Sequence, residues 1–338
     1  MGNTLKRTTV VDIVGVLIFL LIGCSLGYLY TIEPRPGPWE ELTVGNVSVE
    51  SFAVLYIAQS KDFFTLNNLN VTIKDYSTDA TAVDALIKGE TDFAGSSEYV
   101  VALNAVQKQN ISLIASCADS QFVDLISRND RGITNASDLY GKTVGVAQRT
   151  VAEFNLGQFL EANGMNIQDI NVVNLAPQDF ANAVANGSVD AVVTWEPYTE
   201  QVKAKLGSGY ADWSLDANAL FYSVITCRND LIANDPETVR RFVCSLCEAE
   251  DFIKTHPEET LSLIKNRFNF TDEYMATVTS KNHFTVSLTQ TLADVMQSEA
   301  AWMINNNLTT QKTAPNINSY INTEGLKANR PASVTINP

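Results

Sequence analysis

The sequence predicts an α/β protein of two duplicated lobes with polar strand mouths suited to a small ligand, and three observations lead there. First, Ala85-Leu-Ile-Lys-Gly89-Glu-Thr-Asp92-Phe-Ala-Gly-Ser96-Ser-Glu98 recurs as Ala183-Val-Ala-Asn-Gly187-Ser-Val-Asp190-Ala-Val-Val-Thr194-Trp-Glu196. Ala, Gly, Asp and Glu repeat at one offset of 98 residues, and Ser96 matches Thr194 at the same offset. A fixed offset in a fixed order is the mark of a duplicated unit. Second, each copy reads as a helix end, a Gly C-cap, a short apolar strand and a polar mouth at the strand's carboxyl end. In open α/β sheets that mouth is where small ligands bind. Third, strand-like and helix-like segments alternate around both copies, the order that builds parallel sheets covered by helices.

Taken in order, residues 42–46 form a first strand and 52–61 an apolar helical run. Residues 70–76 alternate as a strand, and Ser77-Thr78-Asp79 caps a helix reaching Lys88. The first repeat strand follows, then a helix over 99–109 and strands over 111–118 and 122–128. Gly141-Lys-Thr-Val-Gly-Val146 starts the second half, and Thr150-Val-Ala-Glu153 has the spacing of a capping box for a helix ending at Gly164. A strand over 171–175, a helix over 178–186 and the second repeat strand complete the second copy. Trp195-Glu196-Pro197-Tyr198 makes an aromatic and acidic lip, with Pro197 placed to start the next helix. The apolar run 220–228 reads as a strand returning to the first lobe. Helices over 235–256, 258–266, 272–279 and 291–305 come next, and the polar tail from Lys312 should lie extended over the surface.

The balance of charge is −15 with no basic stripe, so a nucleic-acid phosphate backbone would be repelled and is excluded as a partner. At the other end of the chain, Lys6 and Arg7 precede an apolar run over residues 13–32, long enough to span a bilayer. Positive charge before the run keeps that end in the cytoplasm and places everything after it outside. Within the run, Leu21-Ile-Gly-Cys24 resembles a lipobox, which makes Cys24 a candidate for lipid attachment after cleavage. Cleaved lipoprotein and uncleaved anchor both tether an extracytoplasmic domain, through a stiff Pro-rich linker over 33–41. Of the other cysteines, Cys244-Ser-Leu-Cys247 has a redox or metal spacing. It falls in mid-helix with no second Cys/His pair beside it, so packing thiols are expected, with no metal and no cofactor.

Gly141-Lys-Thr-Val-Gly-Val146, the two Gly-x-x-Asp units and Asp190-Ala-Val-Val-Thr-Trp195-Glu-Pro-Tyr198 resemble the substrate-binding proteins of ABC importers. The group is the one that handles nitrate, sulfonates such as taurine, and thiamine-precursor pyrimidines. The resemblance implies a type II periplasmic-binding-protein fold preceded by the N-terminal anchor. Its parts would be an anchor over 1–32, a first lobe over 42–126 and 222–310, a second lobe over 127–221, and a tail over 311–338. It implies a monomer that captures a small anionic or zwitterionic solute by closing its lobes. The solute would pass to a membrane permease and its ATPase. A pyrimidine binder, an enzyme or a sensor on the same fold are the alternatives. The enzyme branch needs a cleft histidine and a cysteine-rich motif, whereas the two histidines here, His256 and His283, fall in the C-terminal helical part.

The residues expected to line the cleft sit at strand mouths and helix starts: Ser48 and Glu50, Thr78, then Ser96, Ser97 and Glu98. The second lobe should supply Gln148, Arg149 and Thr150, then Thr194, Trp195 and Glu196. Helix starts at Glu50, Asp79 and Glu98 already carry an acid. The turn Gln148-Arg149-Thr150 opens with a cation, so an anionic group should sit there, with Arg149 and free N–H groups holding it. Glu98 and Glu196, equivalent in the two copies, should face a hydrogen-bond-donating part of the solute.

Overall fold

The computed structural model describes residues 37–121, 123–215 and 221–336. The apolar run over 13–32 and Cys24 lie outside them. Among the described residues no helix is long and apolar enough to cross a membrane.

The first stretch runs β1 (Glu40–Val47), α1 (Ala53–Ser60), α2 (Phe63–Leu66), β2 (Leu69–Tyr76), α3 (Asp79–Ile87), β3 (Phe93–Ser97), α4 (Glu98–Val106) and β4 (Ile111–Ser120). The second runs β5 (Asp124–Arg128), β6 (Thr143–Val146), α5 (Val151–Ala162), β7 (Asn171–Asn174), α6 (Phe180–Asn186), β8 (Ala191–Thr194), α7 (Tyr198–Leu206) and β9 (Tyr210–Ser214). The chain then passes through β10 (Phe221–Arg228), α8 (Asn229–Asn234), α9 (Pro236–Thr255), α10 (Pro257–Phe268), α11 (Asp272–Lys281), β11 (Asn282–Phe284), α12 (Gln290–Asn305) and α13 (Glu324–Asn329).

Two sheets result, ordered β11-β4-β10-β3-β1-β2 and β7-β6-β8-β5-β9. The expectation of mostly parallel sheets holds only for the βαβ halves, where β1 pairs parallel with β2 and β3, and β6 with β7 and β8. Strands that cross between lobes meet their sheet from the opposite end. Accordingly β10 lies antiparallel between β3 and β4, and β5 lies antiparallel beside β8 and β9. The chain joins the second sheet at Asp124, slightly ahead of the boundary expected at residue 127, because Asp124 already pairs with Thr194.

The duplication is physical as well as textual. Gly89 and Gly187 end their helices with φ of 75° and 81°, a left-handed conformation that an L side chain strains to adopt. Asp92 accepts the Thr43 N–H at 2.8 Å, and Asp190 accepts the Thr143 N–H at 2.9 Å. In each lobe that carboxylate ties the repeat strand to the strand that opens the βαβ half, β1 in one and β6 in the other. Thr43-Val-Gly45 and Thr143-Val-Gly145 are themselves identical, a second repeat that the reading from sequence passed over.

Alternation places successive residues on opposite sheet faces. In the second lobe Leu125 and Val193 join one buried cluster, and Ile126 and Val192 join the other, around Phe180. The first lobe's core centres on Phe242 of α9, stacked on Phe93 at 4.1 Å and on Phe64 at 5.2 Å between ring centroids. Cys247, also on α9, is buried, and desolvation pushes its thiol up to about 12. The tail is not simply extended. Ile317 and Leu326 are buried, α13 packs on α9, and Ile321 bridges to Leu113.

Candidate functional site

A cavity of about 80 Å3 lies between the lobes, walled by helix starts and strand mouths from both. From the first lobe come the turn Glu50-Ser51-Phe52 that leads into α1, Asp79 at the start of α3, and Ser97 at the end of β3. The second lobe gives Thr150 and Val151 at the start of α5, with Trp195 and Glu196 after β8. The crossing segments add Val123, Phe221 and Ser223. Helix starts leave backbone N–H groups without intrahelical partners; here Asp79 already takes those of Ala80 and Ser97, and most of the lining surface is apolar.

Three carboxylates belong to that wall, and among the described residues no lysine or arginine lines it. Glu50 is 3% exposed; the Tyr274 hydroxyl donates to one of its oxygens at 2.9 Å and the other has no partner. Burial raises its carboxyl above the usual range. Asp79 accepts from the Ser97 amide at 3.0 Å and the Ser97 hydroxyl at 2.6 Å. Desolvation raises it too, against those hydrogen bonds. Glu196 is pushed up to about 7, chiefly by burial, while its carboxylate accepts the Glu200 N–H at 3.3 Å. Beside it Trp195 packs edge-on against Phe180 and Tyr198, each at 6.0 Å.

Of the residues expected from sequence, Glu50, Ser97, Thr150, Trp195 and Glu196 line this cavity. Ser48 is exposed, and Thr78 turns to its own helix start, exchanging hydrogen bonds with Thr81 in a capping box. Ser96 and Thr194 are fully buried behind the mouths. Gln148 is exposed, its N–H donating to the Asn174 side chain at 3.0 Å.

Arg149 does not line the cavity either. Its backbone is left-handed, φ 66°, and its guanidinium makes a two-pronged ion pair with Asp84 of α3, at 2.7 and 2.9 Å. The expected anion clamp is therefore a strap between lobes. The expected capping box shifts with it: Glu153 accepts the Arg149 N–H at 2.9 Å, and the Thr150 hydroxyl donates to Ala147. Glu98 and Glu196 do not oppose each other. Glu98 is buried under β10, where it accepts the Tyr222 N–H at 2.9 Å, and it faces a different cavity.

Sequence reasoning missed Ser51, Phe221 and Ser223 as lining residues. Phe221 and Ser223 share one face of β10 by the two-residue period, and the Ser223 hydroxyl bonds Ser51 at 2.8 Å. That period was readable in the return strand, although its register against β3 was not. The two histidines lie elsewhere: His283 bonds Asp119 at 2.8 Å, and His256 stacks on Phe252.

A family model described as NMT1/THI5 like matches residues 50–260. A putative binding protein of Brucella abortus is 28% identical over 217 residues, 62% of this chain. The chain spans 66% of that relative's length. A putative aliphatic sulfonates-binding protein of Bacillus subtilis is 24% identical over 255 residues, covering 73% of this chain and 74% of the relative. The solved alkanesulfonate-binding protein SsuA of Xanthomonas axonopodis pv. citri, bound to MOPS, superposes with a TM-score of 0.74 at 14% identity. That match covers 85% of this chain and all of the other, and it shows a shared periplasmic-binding-protein fold.

Proposed function

Because the chain belongs to the NMT1/THI5-like family, we propose that it is the extracytoplasmic solute-binding component of an ABC importer. It captures one small organic solute by lobe closure and delivers it to a membrane permease and its ATPase. The role is binding, in line with the relatives named as binding proteins. Residues 13–32, or an acylated Cys24, tether it to the membrane. Fractionation checks the tether: the protein should pellet with membranes and be released by detergent, and a freely soluble mature form overturns it.

The observation that carries the ligand class is the lining of the cavity. Helix-start N–H groups suit an anionic head, while Glu50, Asp79 and Glu196 would repel a bare anion and attract a donor. A zwitterion of the aminosulfonate kind meets both demands. A neutral thiamine-precursor pyrimidine is the second reading. It is favoured by Trp195 next to a glutamate that, with its carboxyl near 7, can donate as well as accept.

Calorimetry with taurine, ethanesulfonate, nitrate and 4-amino-5-hydroxymethyl-2-methylpyrimidine tests this. Taurine should bind about tenfold or more tightly than ethanesulfonate, the worth of one charge-assisted hydrogen bond. Glu196→Gln should erase that margin. Arg149→Ala should leave it intact, since Arg149 is paired with Asp84. Ethanesulfonate or nitrate binding as tightly as taurine overturns the zwitterion reading, and tightest binding of the pyrimidine replaces it with the second.

A further inference from the structure

Behind Val151 and Phe221, on the far side from the solute cavity, a second and larger cavity of about 700 Å3 opens between α5 and α12. Much of its wall is apolar, with Phe154, Phe159, Leu215 and Val295 among the lining residues. Exposed polar side chains, Gln158, Asn163 and Asp294 among them, stand at its rim, and three further polar groups are buried against the apolar wall. Glu299 is 0% exposed, and neither of its carboxylate oxygens has a hydrogen-bond partner. Glu98, 1% exposed, shares the cavity with it and has the Tyr222 amide on one oxygen. Asn155, 3% exposed, leaves its side-chain nitrogen without a partner. Among the described residues no lysine, arginine or histidine lines the space.

Burying acceptors of this kind without a donor is unfavourable, and two buried carboxyl groups beside each other cannot both ionise without a positive charge between them. An ammonium group supplies that charge and the missing donors at once. A neighbouring hydroxyl oxygen on the same molecule would accept from Asn155, and an aliphatic body would cover the aromatic and aliphatic wall. Apolar pockets of several hundred Å3 with a few convergent polar groups are the usual form of small-molecule sites. We propose that this cavity is a second binding site, for a small aliphatic amino alcohol, held by Glu98, Glu299 and Asn155. It stands whatever the solute cavity takes. Its wall includes residues of the second lobe and of α12, so an occupant touches both sides of the hinge.

Valinol is a suitable probe, with 3-methyl-1-butanol as the same body lacking the amine and potassium chloride as a bare cation. Calorimetry and thermal melting on the full chain should show valinol binding at about millimolar concentration and raising the melting midpoint, while the two controls do neither. Glu299→Gln should weaken valinol about tenfold or more; Glu196→Gln should leave it unchanged. Ser298→Trp, at an exposed position on the rim, should block binding without disturbing the core, and it keeps the test decisive if Glu299→Gln fails to fold. Valinol without effect on the wild type overturns the proposal. So does loss of binding in Glu196→Gln but not in Glu299→Gln, which puts the amine in the solute cavity, and so does an equal effect of potassium chloride or of 3-methyl-1-butanol.

Discussion

Stability will fall as pH rises from 5 to 8. Burial raises the carboxyl groups of Glu50, Asp79, Asp124, Glu153 and Glu299, and it pushes Glu98 up to about 8 and Glu196 up to about 7. In the unfolded chain such groups titrate near 4, so between the two values the folded state holds more protons. The contribution of a raised acid is fully present below its unfolded pKa and is lost as pH climbs through its folded pKa. The lowered acids, Asp84, Asp130, Asp138 and Glu237, act in the opposite sense, but only as pH drops below about 4. The window from 5 to 8 therefore belongs to the raised set. At about 1.4 kcal/mol per pKa unit, the loss is on the order of a few kcal/mol. Urea denaturation at the two pH values measures it, and Glu98→Gln should flatten the slope. A free energy of unfolding that rises with pH across this window would sink the account.

Phe242→Ala will cost about 3–5 kcal/mol, the range for deleting a fully buried aromatic ring. The ring is 0% exposed and sandwiched between Phe93 of β3 and Phe64 of α2, so neither helix nor sheet can close over the gap alone. Phe242→Leu keeps most of the volume and should cost less than half as much. Because none of the three rings lines the solute cavity, affinity measured on the folded fraction should not change. A loss below about 1 kcal/mol would show that α9 repacks freely, against the close packing expected of such a core.

What could be read from sequence was what local chemistry decides. The left-handed glycines 89 and 187 and the aspartates 92 and 190 do in each lobe what their spacing suggested, because a helix end and the next strand mouth are set by neighbours in the chain. The helix starts at Glu50 and Thr150 reach the cavity for the same reason. Partners far apart in sequence were not legible. Arg149 looked like a free cation because nothing near it in the chain is its counterion; Asp84 becomes its neighbour only when α3 of one lobe meets the start of α5 in the other. Glu98 and Glu196 hold the same place in the repeat, yet β3 lies beside β10 and β8 beside β5. The first glutamate thus receives an amide from β10 and disappears from the cleft, and the second stays at the mouth. Sequence alone carried the duplicated position and not the different strand packed next to each copy.

The place of β10 in its sheet also fixes an order of assembly. Its pairing partners β3 and β4 are finished long before Phe221 leaves the ribosome, and all strands of the other sheet lie between them and β10 in the chain. A growing polypeptide can therefore complete the inserted lobe while the outer one still has two open edges at the middle of its sheet. Unpaired edges of this kind are templates for pairing with other chains, and long-range strand pairing is slow to form. The hazardous interval in the folding of this protein lies between the emergence of residue 121 and that of residue 228, from the ribosome or across the membrane, and it ends when a single strand slides between two that have been waiting for it.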